Sequence, residues 1–74
     1  MTIELTAREE RIFYLTGTAM TAKDISKELG IAPKTVDTYK DRARKKMRLT
    51  PKQFRRAAFE HAAMTMFYGV EINA

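Results

Sequence analysis

Residues 21–47 constrain the fold of this chain more than any other segment, and their sequence is TAKDISKELGIAPKTVDTYKDRARKKM. Three apolar residues near the start of the segment share one face of a helix: Ala22, Ile25 and Leu29. Gly30 can end that helix in a left-handed conformation, and Pro33 suits the first position of the next helix. Ile31 lies between them and is expected to fill the core. The segment therefore predicts two helices joined by a tight turn.

The second of these helices is predicted to have two chemically different faces. Four residues recur at spacings of three, four and four and are expected to face the core: Val36, Tyr39, Ala43 and Met47. At about 100° per residue, the opposite face is then fixed by geometry. That face holds Lys34, Thr38, Asp41 and Lys45. Four polar residues flank it: Thr35, Asp37, Arg42 and Arg48.

Capping signals predict two further helices. Thr6 and Glu9 form a capping box, and the helix after it is expected to bury Ile12, Phe13 and Leu15 before Gly17 ends it. Thr50 and Gln53 form another capping box, with proline at the first helical position. The predicted fold is all-α, a single domain over residues 1–74. Its four helices span about residues 7–16, 22–29, 33–48 and 51–68.

The fourth helix is predicted to carry more apolar surface than one small core can cover. One stripe faces inward and consists of Phe54, Ala57, Ala58 and His61. A second stripe consists of Phe59, Ala62, Ala63, Met66 and Val70. An exposed apolar strip usually marks a protein contact, so we expect the second stripe to form a homodimer interface. The alternative is that the C-terminal segment folds back onto its own core.

The distribution of charge indicates the kind of partner. Residues 34–56 hold ten Lys or Arg and two Asp, a net charge of +8, whereas residues 1–33 and 57–74 carry −1 and −2. Two helices joined by a tight turn, the second of them cationic, are the helix-turn-helix pattern. That pattern places its second helix in the major groove of DNA. We therefore expect double-stranded DNA as the partner; the alternative is a solvated helix surface.

Composition excludes several other classes of protein. One histidine, no cysteine and no clustered carboxylates leave no set of residues for a catalytic site, a metal site or a cofactor site, so we expect no enzyme. His61 is expected to pack in the core. No apolar run is long enough to span a bilayer, and no signal peptide opens the chain. The expected location is the cytoplasm, at the nucleoid, without membrane contact.

Residues 5–49 also resemble, without gaps, the LuxR/FixJ-type (GerE-like) helix-turn-helix domain. The matching stretches are residues 5–9, 23–26, 29–31, 34–36 and 45–47. The resemblance implies a four-helix DNA-binding domain of a bacterial or phage transcription regulator. It also implies binding as a dimer to repeated half-sites, with the last helix at the dimer contact. Residues 42–47 further resemble the −35-reading region of extracytoplasmic-function sigma factors, which leaves contact with RNA polymerase open.

The chain departs from the family pattern at positions that bear on DNA recognition. Asp37 replaces the usual lysine, Tyr39 the usual histidine, and Asp41 lies at another position that can contact bases. Outside this helix, Ala19 replaces the loop glycine and Ala32 the capping serine. The two acids can accept hydrogen bonds from cytosine N4. Alternatively they pair with lysines: Asp41 with Lys45, and Asp37 with Lys34 or Lys40.

The predicted site follows from these faces and charges. The base-contact candidates are Lys34, Thr35, Asp37, Thr38, Asp41 and Lys45. The phosphate-contact candidates are Thr21, Lys23, Arg42, Arg44, Lys46, Arg48, Lys52, Arg55 and Arg56. The competing hypothesis is a protein-interaction module of the same shape that binds RNA polymerase or another regulator, and the two acids are its best support.

Met1 lies only a few residues before the first helix, so the sequence predicts no sensor or receiver domain. In that case regulation depends on expression level, on dimerisation or on a partner protein. The alternative is that the chain is one domain of a larger protein with an added start methionine.

Overall fold

The computed structural model describes the backbone of residues 4–73 and the side chains of residues 4–67. Four helices follow one another: α1 (Ala7–Gly17), α2 (Ala22–Leu29), α3 (Pro33–Met47) and α4 (Pro51–Asn73). No strand occurs in this range. The predicted all-α class and the four helix starts are confirmed. α4 continues five residues beyond the expected end at residue 68, and α3 ends one residue earlier than expected.

Reciprocal side-chain caps start three of the helices. The Thr6 hydroxyl accepts from the Glu9 amide at 3.1 Å, and the Thr6 amide donates to Glu9 Oε1 at 2.9 Å. Equivalent pairs open α2 and α4, formed by Thr21 with Asp24 and by Thr50 with Gln53. α3 has no side-chain cap at Ala32 and relies on Pro33 at its first position. The predicted capping signals are therefore confirmed.

Two small apolar clusters form the core, and α1 contributes to both. The first contains Ile12, Leu15, Ile25 and Val36. The second contains Phe13, Ala43, Phe54 and Ala58, with the Phe13 and Phe54 rings 5.2 Å apart. The inward faces predicted from spacing are confirmed. Because α1 is shared, it holds the α2–α3 pair and α4 in one unit.

Gly17 does not act as the helix terminator that its residue type predicts. It is the last residue of α1, it is buried, and Thr18 is the C-cap. A Cβ atom on Gly17 would collide with the backbone carbonyl of Ala58 and lie 2.8 Å from the Ala62 Cβ. Gly17 therefore allows the backbone of α4 to approach α1 closely.

The turn between α1 and α2 contains a strained alanine. Ala19 has φ of 68°, the same value as Gly30 after α2. A left-handed conformation costs an L-residue about 1 kcal/mol, whereas glycine adopts it freely. The predicted left-handed conformation of Gly30 is confirmed. Ala19 adopts the same conformation, although alanine is less suited to it than glycine.

We expect Ala19→Gly to stabilise the protein by about 0.5 kcal/mol, because relief of backbone strain exceeds the added entropy of the unfolded chain. Urea denaturation followed by circular dichroism measures this change. The converse substitution Gly30→Ala, at the same φ and with open space around the site, should destabilise the protein by about as much as Ala19→Gly stabilises it. A lower unfolding midpoint for Ala19→Gly would contradict the prediction.

Candidate nucleic-acid interface

α3 has one buried face and one exposed face, as its spacing predicts. Val36 and Ala43 are fully buried, and Tyr39 and Met47 pack partly against the two clusters. The opposite surface exposes Lys34, Thr35, Thr38 and Lys45. The helix is thus attached to the domain along one side and free along the other, the arrangement that an element entering a groove requires.

The first half of the exposed α3 face is polar and carries the positive charge of Lys34. The Thr38 hydroxyl donates to the Lys34 carbonyl at 3.1 Å, so its oxygen is left to accept a hydrogen bond from outside. Lys34 forms no ion pair with another side chain of residues 4–67. Its ammonium is therefore available to an anionic or acceptor group on a partner.

The second half of the face is internally paired around Asp41. Asp41 Oδ1 accepts from Arg44 at 2.7 Å, and Oδ2 accepts from Lys45 Nζ at 3.0 Å. These interactions, the Arg44 hydrogen bond foremost, hold the pKa of Asp41 below its usual value of 3.8. The pairing with Lys45 that the sequence left open is present. This half of the face carries less free charge than its composition suggests.

Asp37 differs from Asp41 in its surroundings. Within residues 4–67 the structure contains no ion pair of Asp37, so neither Lys34 nor Lys40 is its partner. Its side chain is exposed at the edge of a cleft of about 200 Å³ between α3 and the start of α4. The cleft is also lined by Thr16, Lys40, Asp41, Arg44, Pro51, Phe54 and Arg55. The two acids therefore occupy chemically distinct positions.

Two of the predicted phosphate contacts are engaged within the protein. Arg44 donates to the Leu49 carbonyl at 3.0 Å as well as to Asp41, and its side chain is only 25% exposed. Lys46 Nζ donates to Glu9 Oε1 at 2.7 Å. Neither side chain reaches a phosphate without giving up or sharing a partner inside the molecule.

The other predicted phosphate contacts lie on the surface. Arg42 stacks over the Tyr39 ring at 5.7 Å, and Arg48 follows α3 with a left-handed φ of 58°. Lys23, Lys52 and Arg55 are exposed, and Arg56 approaches Glu60 only to 3.8 Å. The Thr21 hydroxyl oxygen accepts from the Asp24 amide as the cap of α2, and its O–H is the group that could donate to a phosphate.

The Glu9–Lys46 pair joins residues that are far apart in sequence. The Glu9 side chain is 3% exposed and belongs both to the α1 capping box and to this ion pair. It ties the first turn of α1 to the last turn of α3. The capping box of Glu9 could be predicted from local spacing, but a partner 37 residues away could not.

Acid should weaken the domain through Glu9. The Lys46 hydrogen bond and the Thr6 amide lower the pKa of Glu9 below its usual 4.5. A carboxyl with a lowered folded-state pKa stabilises the fold above its unfolded-state pKa, and this contribution is lost as pH falls through the folded value. We therefore expect stability to decline once pH falls below about 4.5.

The test compares thermal melting at neutral and acid pH in Glu9→Gln and in Glu10→Gln, which changes an exposed carboxylate one residue away. Glu9→Gln should lower the melting temperature at neutral pH and flatten its acid dependence, whereas Glu10→Gln should do neither. Equal behaviour of the two variants would contradict a specific role for the Lys46 pair.

The second apolar stripe on α4 is partly exposed. Phe59 is 65% exposed and Met66 is 64% exposed, while Ala63 is half-buried. The placement of Ala62 on the exposed stripe is wrong: Ala62 is 2% exposed, because α1 approaches it at Gly17. The side chain of Val70 lies outside the described residues.

Sequence reasoning missed two other exposed apolar residues, Met64 and Phe67. The signal was present in the relative lengths of the elements. α1 has 11 residues and α4 has 23, so α1 cannot run beside the whole of α4. Met64, Met66 and Phe67 are accordingly 62%, 64% and 78% exposed.

Comparison with known proteins agrees with this architecture. The family model described as bacterial regulatory proteins, luxR family, matches residues 4–54, which include α1, α2, α3 and the first turn of α4. No curated protein and no solved structure matches the chain significantly. Along the described part of the chain, no helix combines the length and apolar character needed to cross a bilayer. With its four helices and a family match over more than half its length, the chain belongs to the luxR family of bacterial regulatory proteins, whose helix-turn-helix domains bind DNA.

Proposed function

We propose that this protein regulates transcription by placing α3 in the major groove of double-stranded DNA. One observation carries the proposal: the exposed face of α3 lies within the segment that holds all of the positive excess charge. The buried face of the same helix is anchored through Val36 and Ala43. A cationic helix held rigidly along one side suits a groove lined by phosphates.

The first half of α3 is the main candidate for contact with bases. Lys34 can donate to guanine O6 and N7, and the hydroxyls of Thr35 and Thr38 can bond to base edges. Asp37, without an ion pair within residues 4–67, is a candidate acceptor for cytosine N4. Lys45 and Asp41, the two remaining candidates, lie in the second half of α3.

The surrounding cations are proposed to hold the duplex through its phosphates. Arg42, Arg48, Lys52, Arg55 and Arg56 are exposed beside α3 and at the start of α4, and Thr21 and Lys23 open α2. Arg44 and Lys46 contribute only through atoms that their internal partners leave free. Such contacts set affinity and register and carry no sequence information.

Binding to a random duplex at two salt concentrations tests the proposal. If about six phosphates are neutralised, the affinity should fall on the order of 10³-fold between roughly 50 and 200 mM salt. Arg42→Ala should lower the slope of this dependence by about one unit, and Arg8→Ala, an exposed cation on α1, should leave it unchanged. Absence of binding at the lower salt concentration would overturn the DNA-binding proposal for this chain.

Homodimerisation through α4 is the second part of the proposal. A single domain of this size covers too little DNA for tight specific binding, so two copies on adjacent half-sites are expected. Phe59 and Met66 are exposed and Ala63 between them is half-buried; the three recur at spacings of four and three, which form one stripe on α4. A second copy of the same stripe is a suitable partner.

A protein-interaction role is the second candidate function. The observation in its favour is Asp41, whose pairing with Lys45 reduces the free positive charge on the α3 face. RNA polymerase or another regulator would then be the partner. This alternative predicts no binding to the random duplex at the lower salt concentration in the same assay, so one measurement separates the two functions.

A further inference from the structure

A chain of three polar contacts connects the end of α3 to the middle of its exposed face. Arg44 lies at the centre, donating through one guanidinium nitrogen to the Leu49 carbonyl at 3.0 Å and through another to Asp41 Oδ1 at 2.7 Å. Asp41 Oδ2 then accepts from Lys45 Nζ at 3.0 Å. Leu49 lies beyond the helix end, so the backbone itself anchors the chain of contacts.

The geometry points to Asp41 as a positioning residue that holds the Lys45 ammonium for guanine recognition, without touching a base itself. This inference rests on the proposed binding of DNA by α3. It assigns the two acids of the α3 face different roles, since Asp37 has no comparable link to a cation within residues 4–67.

The donor count of lysine supports this role. An ammonium group has three N–H donors, and Asp41 accepts one of them. Two donors remain, and the major-groove edge of guanine presents two acceptors, O6 and N7. A free lysine rotates and reaches phosphates as readily as bases. When one N–H of the ammonium is bound to Asp41, the other two N–H groups point in a defined direction. This fixed direction favours a hydrogen bond to a base edge over one to a DNA phosphate.

The rigidity of Asp41 depends on Arg44. The Arg44 side chain is three-quarters buried and its planar guanidinium spans two acceptors, which restricts it to one orientation. The Lys45 and Asp41 side chains are 69% and 47% exposed in the free protein, where a pair so open to solvent contributes little to stability. In the groove, displacement of water strengthens the same pair. The Asp41–Lys45 contact is therefore stronger in the DNA complex than in the free protein, as a positioning role requires.

The carboxylate also disfavours the wrong complex. A phosphate near Lys45 is repelled by Asp41, whereas a guanine edge is uncharged and is tolerated. Asp41 should thus lower affinity for random DNA while raising discrimination at one base pair. A purely structural role would change both affinities together.

The experiment first selects bound sites from a random duplex pool with the wild-type chain. Affinities are then measured for the selected site, for the same site with each G·C pair replaced in turn, and for the random pool. The variants are Asp41→Asn, Lys45→Met and the double variant. Glu10→Gln is the matched control, since it removes one exposed carboxylate from α1. Circular dichroism confirms that each variant is folded.

We expect Asp41→Asn to strengthen binding to the random pool and to reduce discrimination at one guanine position about fivefold to tenfold. Lys45→Met should abolish discrimination at the same position, and Asp41→Asn should then add no further loss there. Glu10→Gln should leave the base preference unchanged. If Asp41→Asn does not fold, Asp41→Ser is measured in its place and should show the same loss of discrimination at the guanine position that depends on Lys45.

Three results would overturn the inference and leave DNA binding standing. The first is a loss of preference for cytosine in Asp41→Asn that persists in the Lys45→Met background, since Asp41 then reads a base directly. The second is an equal change on all duplexes, which reduces Asp41 to a charge or stability effect. The third is that the selected site contains no guanine whose recognition is lost in Lys45→Met. Absence of DNA binding by the wild type would instead overturn the proposed function, and this inference with it.

Discussion

Gly17→Ala is expected to lower the free energy of unfolding by about 2–3 kcal/mol, the largest stability effect of any conservative substitution considered in this chain. The added methyl group meets the backbone carbonyl of Ala58, which cannot rotate away as a side chain can. α4 must shift outward, and the second core cluster, including Phe54 and Ala58, opens with it. The gain of about 1 kcal/mol in helix propensity offsets only part of this cost.

Denaturation by urea, followed by helical circular dichroism, measures the loss. A core this small rarely supplies more than about 3–5 kcal/mol, so Gly17→Ala should leave much of the population unfolded near physiological temperature. Gly30→Ala is the control, because it also replaces glycine but meets no atom within 4 Å and incurs only the left-handed backbone cost. Equal stability of wild type and Gly17→Ala would show that α4 does not pack against Gly17 in solution.

Phe59→Glu is expected to convert a dimer into a monomer, raising the dimer dissociation constant at least about a hundredfold. Phe59 is the largest side chain of the proposed α4 stripe, and it is exposed. A carboxylate at that position would be buried against a second copy of the protein without a cationic partner. Sedimentation at several protein concentrations measures the dissociation constant. Affinity for a two-half-site duplex should fall in parallel.

Met64→Glu is the matched control for this prediction. Met64 is about as exposed as Phe59 and lies only five residues further along α4, but about 140° away around the helix at 100° per residue. It should leave the dimer intact. A wild-type protein that sediments as a monomer at high concentration would contradict the interface, as would equal dissociation in both variants.

Local sequence determined the beginnings of the helices and the orientation of their faces. Capping boxes at Thr6, Thr21 and Thr50 join residues three positions apart, so the sequence contains each complete interaction. The buried face of α3 follows from helical period alone. The Asp41–Lys45 pair is likewise an i,i+4 contact, open to sequence reasoning because the helix brings its members together.

Contacts between helices depended on the tertiary structure. The sequence indicated that Gly17 ends α1, whereas the structure uses it for close packing against α4, and the same approach buries Ala62. The exposure of Met64 and Phe67 likewise depends on how far α1 extends beside α4. These outcomes require the distance and orientation of two helices, which neither helix specifies alone.

The same distinction between local sequence and tertiary structure applies to the candidate nucleic-acid interface. The sequence alone determined which face of α3 is exposed and how strongly cationic its surroundings are, because helical period and composition are local properties. Only the tertiary structure decided which of those cations are free. In the folded protein Lys46 pairs with the buried carboxylate of Glu9, and the largely buried Arg44 donates to the Leu49 carbonyl. A charged group that is removed from water requires a partner inside the protein.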